Sequence, residues 1–303
     1  MLHALALMAG CLAVSHAETI PVFQRSEKPV GKLGSSAIKE ASGLAASSRN
    51  PGFLWVINDS GSKPELHLIE TNGRYRGKTA LTGARNVDWE DLASFQLGGK
   101  PYLLAADTGD NESKRDSCTL HVLNEPELPT GDKTLDHQSR VQWRIRFRYE
   151  DGPRDCESVA VDAASGKILL LSKRTEVPFV YELPLKPADD SKVLTARKVG
   201  KTSVQAPTGN RIPFANQPTG LDLTPDASMA AVVTYYGVFV FPRKPGEAWD
   251  TAFSRDPIHL GPHALPQAEA IAFSKDGASV FAISEGSGTP IIRFQRVVKV
   301  ADE

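Results

Sequence analysis

Oxygen-bearing side chains stand at a fixed distance before five short apolar segments of this sequence. The first set lies two residues before an apolar anchor residue and consists of Ser42, Glu90, Glu157, Thr219 and Glu269. A second set lies four residues before the same anchors and consists of Glu40, Asp88, Asp155, Gln217 and Gln267. Carboxylates held close together repel one another unless a cation lies between them, and Ca²⁺ prefers oxygen ligands. If the fold gathers the first set, we expect it to bind an axial Ca²⁺ ion.

The alternative for each of these acids is a local role. Asp side chains commonly accept hydrogen bonds from backbone amides in turns, and such residues would lie apart in solvent. Oxygen side chains at both distances in all five segments argue against chance placement, but the cation and the local role both stay open.

A polar cluster follows the next apolar segment of each unit and supplies further candidate site residues. We expect catalysis to involve Asp59, Asp107, Lys173 and Arg174. We expect substrate binding to involve Asn58, Asp110, Asn111, Tyr236 and Glu285. A cation and the dibasic pair could share the oxygens of one phosphate group, so a small phosphorylated substrate is the expected ligand. The alternative is that Lys173 and Arg174 pair with neighbouring acids in a structural network.

Repeated strands are the elements that must bring these side chains together. Five units of short apolar strands begin near anchors that are 48, 67, 62 and 50 residues apart, namely Leu44, Leu92, Val159, Leu221 and Ile271. Such spacing, without long helical periodicity, is typical of propeller blades. We therefore predict an all-β fold, a single β-propeller of five four-stranded blades, with six blades or a β-sandwich as alternatives. The N-terminal stretch 20–33 should supply the strand that closes the last blade.

Composition and the N-terminus bear on partners and location. The 303 residues carry 35 Lys and Arg against 36 Asp and Glu, so the basic surface of a nucleic-acid-binding protein is excluded. Residues 1–17 predict a signal peptide, and residues 18–303 a single propeller domain of an exported, periplasmic or extracellular protein. Only ten residues precede Cys11, which argues against a lipoprotein anchor there. No transmembrane segment is predicted, and we expect a monomer.

Export also changes how the remaining cysteines are interpreted. Removal of the signal peptide leaves Cys118 and Cys156 in an oxidising compartment, where a disulfide can persist. In the predicted propeller both cysteines lie at the same end, on adjacent blades. We therefore predict a disulfide between them.

Several motifs resemble those of a known family. Val56–Gly61, Asp88–Leu92, Asp107–Asn111 and Ala268–Phe273 resemble the exported bacterial propellers grouped as phytase-like or "esterase-like". The first oxygen set is also similar to the Ser/Glu pattern with which five-bladed calcium-dependent apyrases hold an axial Ca²⁺, and Leu171–Arg174 is similar to the dibasic end of their third blade. The fourth unit departs from the apyrase pattern, because Thr234-Tyr235-Tyr236 stands where those proteins have a charged stretch.

The resemblance implies a Ca²⁺-assisted hydrolase of a phosphate ester or anhydride. A second function stays open, because the same fold and ion would serve a non-catalytic envelope protein. In that case the calcium is structural and the end face binds a protein or a glycan.

Overall fold

Short antiparallel strands make up nearly all of the chain described by the computed structural model, which covers residues 21–206 and 209–297. The predicted signal peptide and Cys11 lie outside these residues. The fold is all-β apart from one short helix, α1 (Trp249–Ser254). Among the described residues, no helix has both the length and the apolar character needed to cross a membrane.

Five groups of strands follow one another along the chain. Two N-terminal strands, β1 (Val22–Arg25) and β2 (Gly31–Lys32), precede the first group. The first group consists of β3 (Ala41–Ala46), β4 (Phe53–Asn58), β5 (Glu65–Glu70) and β6 (Tyr75–Thr82). The second consists of β7 (Trp89–Leu97), β8 (Lys100–Asp107), β9 (Cys118–Asn124) and β10 (Leu135–Tyr149). The third consists of β11 (Val159–Asp162), β12 (Lys167–Leu171), β13 (Phe179–Pro184) and β14 (Val193–Lys201).

The last two groups complete the described chain. The fourth consists of β15 (Pro218–Leu223), β16 (Met229–Thr234), β17 (Val238–Pro242) and β18 (Ile258–Gly261), with α1 between its last two strands. The fifth consists of β19 (Ala268–Phe273), β20 (Ser279–Ser284) and β21 (Pro290–Val297). Both N-terminal strands pair antiparallel with β21. Within every group, consecutive strands are antiparallel.

The prediction of a propeller built from five, or alternatively six, separate four-stranded blades is wrong. Strand β10 is 15 residues long and pairs antiparallel with β9, parallel with β6 and parallel with β14. This pairing merges three groups into one sheet of 12 strands, beside sheets of five and four strands. The strand order in residues 21–206 and 209–297 therefore contains no closed propeller. A strand of this length spans roughly 50 Å, so its two ends can reach two neighbouring groups.

Side-chain packing joins the first strands of the groups. Strand β3 lies beside β7 and β19, β7 lies beside β11, and β15 lies beside both β11 and β19. Strands β3, β11, β15 and β19 are buried along their whole length, whereas β7 is buried at its start and becomes partly exposed toward its end. Small and apolar residues predominate in all five strands. The N-terminal ends of these five strands therefore lie near one another, and each lies beside the C-terminal end of the second strand of its group.

Apolar side chains fill the spaces between neighbouring groups. Trp55 and Ile57 of the first group pack with Leu92 and Leu103 of the second, and equivalent clusters lie between the other groups. Each fully buried large side chain of this kind contributes about 1.5–3 kcal/mol to the free energy of unfolding. This packing holds the strand ends, and the polar residues on them, in fixed positions.

Candidate functional site

Five carboxylates meet where two first strands begin and one second strand ends. They come from the loop after β4, the start of β7 and the loop before β11, and they are Asp59, Asp88, Glu90, Asp155 and Glu157. Their oxygens form two groups whose members lie within 4.8 Å of one another: Asp59, Asp88 and Glu90, and Glu90, Asp155 and Glu157. We call these five residues the acidic cluster. Two of them, Glu90 and Glu157, belong to the ring expected from the sequence.

Glu90 lies at the centre of the acidic cluster and belongs to both groups. Its residue is only 4% exposed, and within the described chain its carboxylate has neither a hydrogen bond nor an ion pair. Burial and then the carboxylate of Glu157 raise the pKa of Glu90 well above its ordinary value. The ionised form of a buried carboxylate is costly without a hydrogen-bond or ion-pair partner, and either a bound proton or a bound cation would offset that cost.

A glycine closes one side of the cluster. A Cβ atom built on Gly109 would lie 2.2 Å from Oε1 of Glu90 and 2.4 Å from Oδ2 of Asp88. Any side chain at this position would therefore displace two carboxylates of the cluster. The oxygen-only donor set and this close approach fit a hard divalent cation such as Ca²⁺.

An internal ammonium group occupies the space between two other members of the expected ring. The Nζ atom of buried Lys173 forms an ion pair with Glu157 and donates a hydrogen bond to the hydroxyl of Tyr235 at 3.1 Å. That hydroxyl donates to Oε1 of Glu269 at 2.9 Å. The Lys173 ammonium thus partly neutralises the two glutamates that the sequence assigned to an axial ion.

The two hydroxyl members of the expected ring have other partners. Ser42 Oγ donates to the carbonyl oxygen of Trp89 at 2.9 Å, and Thr219 Oγ1 donates to that of Ala268 at 2.6 Å. Both hydroxyls therefore link neighbouring first strands. The acids four residues before the anchors contribute more to the acidic cluster than these hydroxyls do, through Asp88 and Asp155.

Arg174 lies at the rim of the acidic cluster. Its side chain is 42% exposed, and its Nε atom pairs with Oδ2 of Asp155 at 2.6 Å. One terminal nitrogen donates to Asn111, and the backbone amide donates to Oε1 of Gln217 at 2.5 Å. The residue has a φ of +58°, which is unfavourable for a side chain of this size and costs about 1–3 kcal/mol. The loop therefore holds the guanidinium beside the carboxylates at the expense of backbone strain.

The remaining candidates from the sequence have structural partners. Asp107 pairs with Arg115 at 2.7 Å and accepts hydrogen bonds from two backbone amides. Asp110 accepts the amides of Lys114 and Arg115, and Asn58 accepts those of two residues before β3. Tyr236 stacks on His259, away from the cluster, and Glu285 accepts a hydrogen bond from Gln267. Of this set, Asp59 belongs to the cluster, the backbone amide of Asp110 donates to Oδ1 of Asp155 at 2.9 Å, and Asn111 accepts a hydrogen bond from Arg174.

Tyr235 is the site residue that the sequence reasoning missed. Sequence position alone does not separate it from Tyr236, because both follow β16 directly. The backbone turn after the strand directs the Tyr235 hydroxyl toward Lys173 and Glu269, and the Tyr236 ring toward His259.

The predicted disulfide is not formed. Cys118 and Cys156 are both free and buried. Their sulfur atoms point to different backbone carbonyls, Cys118 Sγ to that of Thr108 at 3.9 Å and Cys156 Sγ to that of Ser158 at 3.5 Å. Burial raises the pKa of the Cys118 thiol to about 12 and raises that of Cys156 as well.

The buried acids predict how stability depends on pH. Burial, with the neighbouring Asp59 second, raises the pKa of Asp88 to about 6, and burial raises those of Asp222 and Glu269 to about 7. Between their ordinary values near 4 and these values, the folded protein holds more protons than the unfolded chain, so the free energy of unfolding falls as pH rises. In EDTA we expect the melting temperature to fall between about pH 4 and about pH 7. A melting temperature that rises across this range would contradict the assignment.

Comparisons with known proteins assign no family and no activity to this chain. No protein-family model matches the sequence, and no curated protein matches it. Among solved structures, the chain is similar to a protein from Bacteroides uniformis ATCC 8492 that is provisionally described as a 6-phosphogluconolactonase. The TM-score is 0.42 at 14% identity, over 89% of this chain and 71% of that chain, which assigns neither a family nor an activity. The phytase-like description also needs correction, because it assumed a propeller and the strands form sheets of 12, five and four.

Proposed function

We propose that this protein binds a divalent cation, Ca²⁺ by its ligand chemistry, in the acidic cluster and hydrolyses a small phosphate ester or anhydride beside it. One observation carries the proposal: Glu90 is 4% exposed, lies among four other carboxylates and has no partner in the described chain. Carboxylates are hard oxygen ligands, and a site rich in them suits Ca²⁺ better than softer metals. When bound, such a cation polarises a phosphate oxygen and offsets the charge of the substrate.

Arg174 supplies a basic group at the edge of the same site. Its guanidinium is partly exposed, and Asp155 and Asn111 hold it from one side. Nε and one terminal nitrogen are used in these contacts, so the other terminal nitrogen remains for a ligand oxygen. Guanidinium groups bind phosphate oxygens through directional, charge-assisted hydrogen bonds. The substrate's phosphate would therefore lie between Arg174 and the cluster.

Asp59 is the carboxylate best placed to orient water. It is only half-buried at the open side of the cluster, whereas Asp107 is held by Arg115 and two backbone amides. A carboxylate in this position can accept a proton from water as the water attacks phosphorus. Lys173 is buried and paired, so its role is to hold Glu157 and Tyr235 in place.

A panel of substrates tests the proposal. Phosphate release from a nucleoside triphosphate, pyrophosphate, an aryl phosphate and a sugar phosphate would be measured with Ca²⁺ and with EDTA, and lactone opening would be followed in parallel. We expect Arg174→Ala to lower kcat/KM about 100-fold, because removal of one charge-stabilising donor has an effect of this order. The matched control is Arg148→Ala, which changes an exposed arginine on β10 and should leave kcat/KM unchanged. No turnover of any substrate by the wild type would refute the hydrolase.

A second candidate function is a non-catalytic protein whose bound cation is structural and whose end face binds another protein. The observation that favours it is an exposed apolar set on two adjoining loops: Val177 at 37%, Ile212 at 44% and Phe214 at 65% exposure. Asn216 and Gln217 donate hydrogen bonds to carbonyl oxygens of the neighbouring loop and so hold these two loops together. In this case Ca²⁺ would raise the melting temperature without any turnover in the substrate panel.

A further inference from the structure

We propose that the acidic cluster binds two divalent cations at once and that the Glu90 carboxylate is the ligand they share. This inference rests on the proposed function, since it assumes that the cluster binds a cation. It adds the number of ions, the division of the ligands between them and the sign of the charge presented to the substrate.

The geometry divides the cluster into two halves. One half consists of Asp59, Asp88 and Glu90, the other of Glu90, Asp155 and Glu157, and the oxygens within each half lie within 4.8 Å of one another. Two ligand oxygens on opposite sides of a Ca²⁺ ion are separated by roughly this distance. Each half therefore has the dimensions of one cation site, and only Glu90 is common to both.

The burial of Glu90 is an independent observation that points to a ligand. Its residue is 4% exposed, and its carboxylate has no hydrogen-bond or ion-pair partner among the described residues. An ionised carboxyl has two oxygens, each able to accept more than one contact. Glu90 can therefore offer one oxygen to each half, as the shared carboxylates of two-metal sites do.

The charges of the two halves differ. Lys173 pairs with Glu157 and Arg174 pairs with Asp155, so both basic side chains lie on the same half. In the described chain, neither Asp59 nor Asp88 forms an ion pair with a lysine or arginine. Arg115 lies near enough to lower the pKa of Asp88, but its guanidinium is paired with Asp107. The half containing Asp59 and Asp88 is thus the less compensated of the two, and we expect its cation to bind first.

Charge balance favours two ions over one. Five ionised carboxylates and two basic partners leave a net charge of 5 − 2 = 3 negative charges. One divalent cation would leave the site negative and repel a phosphate, whereas two would make it positive by one charge. A positive site attracts an anionic substrate, which agrees with the presence of Arg174 at its rim.

Binding stoichiometry tests the inference without any activity assay. Isothermal titration of the metal-free protein with Ca²⁺, supported by metal analysis after gel filtration, should give two ions per chain. Asp59→Asn should lose the first binding step and retain one ion, and Glu90→Gln should lose both steps. The matched control, Glu112→Gln, changes an exposed acid that pairs with the exposed Lys114 and should keep two ions.

The outcomes separate this inference from the proposed function. One ion per wild-type chain would overturn the two-cation site and leave the hydrolase proposal standing. No ion would overturn both. Two ions in Glu90→Gln would show that the cations do not share this carboxylate. Circular dichroism of each variant confirms the fold, and Glu90→Gln keeps the shape of the side chain while it removes a buried charge, so we expect it to fold.

Discussion

Replacing Lys173 with methionine should lower the free energy of unfolding by about 3–5 kcal/mol, because removing one partner of a buried ion pair leaves the other charge buried and unpaired. Lys173 is 5% exposed and pairs with Glu157. It also donates a hydrogen bond to the Tyr235 hydroxyl, which in turn donates to Glu269. Methionine fills a similar volume but leaves the two glutamates without a positive charge between them. Urea unfolding followed by circular dichroism measures the change.

The pH dependence of this loss is part of the expected result. Burial raises the pKa of Glu157, and Lys173 opposes that rise. With Lys173 present the pKa of Glu157 is about 8, and without it the folded variant should keep the Glu157 proton to a higher pH than the folded wild type does, so the penalty should grow as pH rises above about 8. A double variant with Glu157→Gln should recover part of the stability, because it removes the carboxylate left without a partner.

A surface pair provides the comparison for this experiment. Lys167 pairs with Glu182 at 2.6 Å, but its side chain is 44% exposed. Lys167→Met should therefore change the free energy of unfolding by less than about 1 kcal/mol. Equal effects of the two substitutions would show that Lys173 does not hold the centre of the site together.

The second large effect is expected for Asp91→Ala, which should lower the free energy of unfolding by at least about 3 kcal/mol. The Asp91 side chain is fully buried, and its oxygens accept the amides of Val159 at 2.7 Å, Leu92 at 2.8 Å and Leu221 at 3.1 Å. This one carboxylate therefore links β7 to both β11 and β15. Alanine would leave three buried N–H groups without an acceptor, each costing about 1–3 kcal/mol.

Asp91→Asn separates hydrogen bonding from charge. Asparagine keeps one acceptor oxygen, which can still serve two of the three amides, and it removes a buried carboxyl whose pKa burial raises well above its ordinary value. We therefore expect a smaller loss than in Asp91→Ala, measured by the same urea unfolding. Asp116→Ala, at an exposed position, should be nearly neutral. If Asp91→Ala is as stable as the wild type, the strand link is not important for the fold.

The repeats in the sequence predicted some features of the site correctly and others only in outline. The recurring acids before the apolar anchors indicated that Glu90 and Glu157 lie near each other, and the structure groups them with Asp155. The long strand β10 was not foreseen, because its pairing with β6 and β14 depends on where two distant strands end. The separate blades predicted from the spacing are therefore wrong, although the short strands themselves are present.

The cysteines are a second case in which the sequence did not predict which side chains meet. Two cysteines in an exported chain predict a disulfide from composition, but side-chain direction decides whether it forms. Cys118 and Cys156 direct their sulfur atoms at different carbonyl groups, and both remain free. Direction of this kind depends on backbone geometry that a single sequence does not specify.

The sequence by itself determined the all-β class and the kinds of side chain at the strand ends, because strand patterns and turn residues are local properties of the chain. Tertiary structure alone decided which of those side chains meet. Lys173 reaches Tyr235, 62 residues away, and Asp91 reaches Leu221, 130 residues away. Contacts over such separations depend on how the strand groups pack. That packing leaves Glu90 buried among carboxylates without a hydrogen-bond or ion-pair partner in the described chain, while Lys173 partly neutralises Glu157 and Glu269.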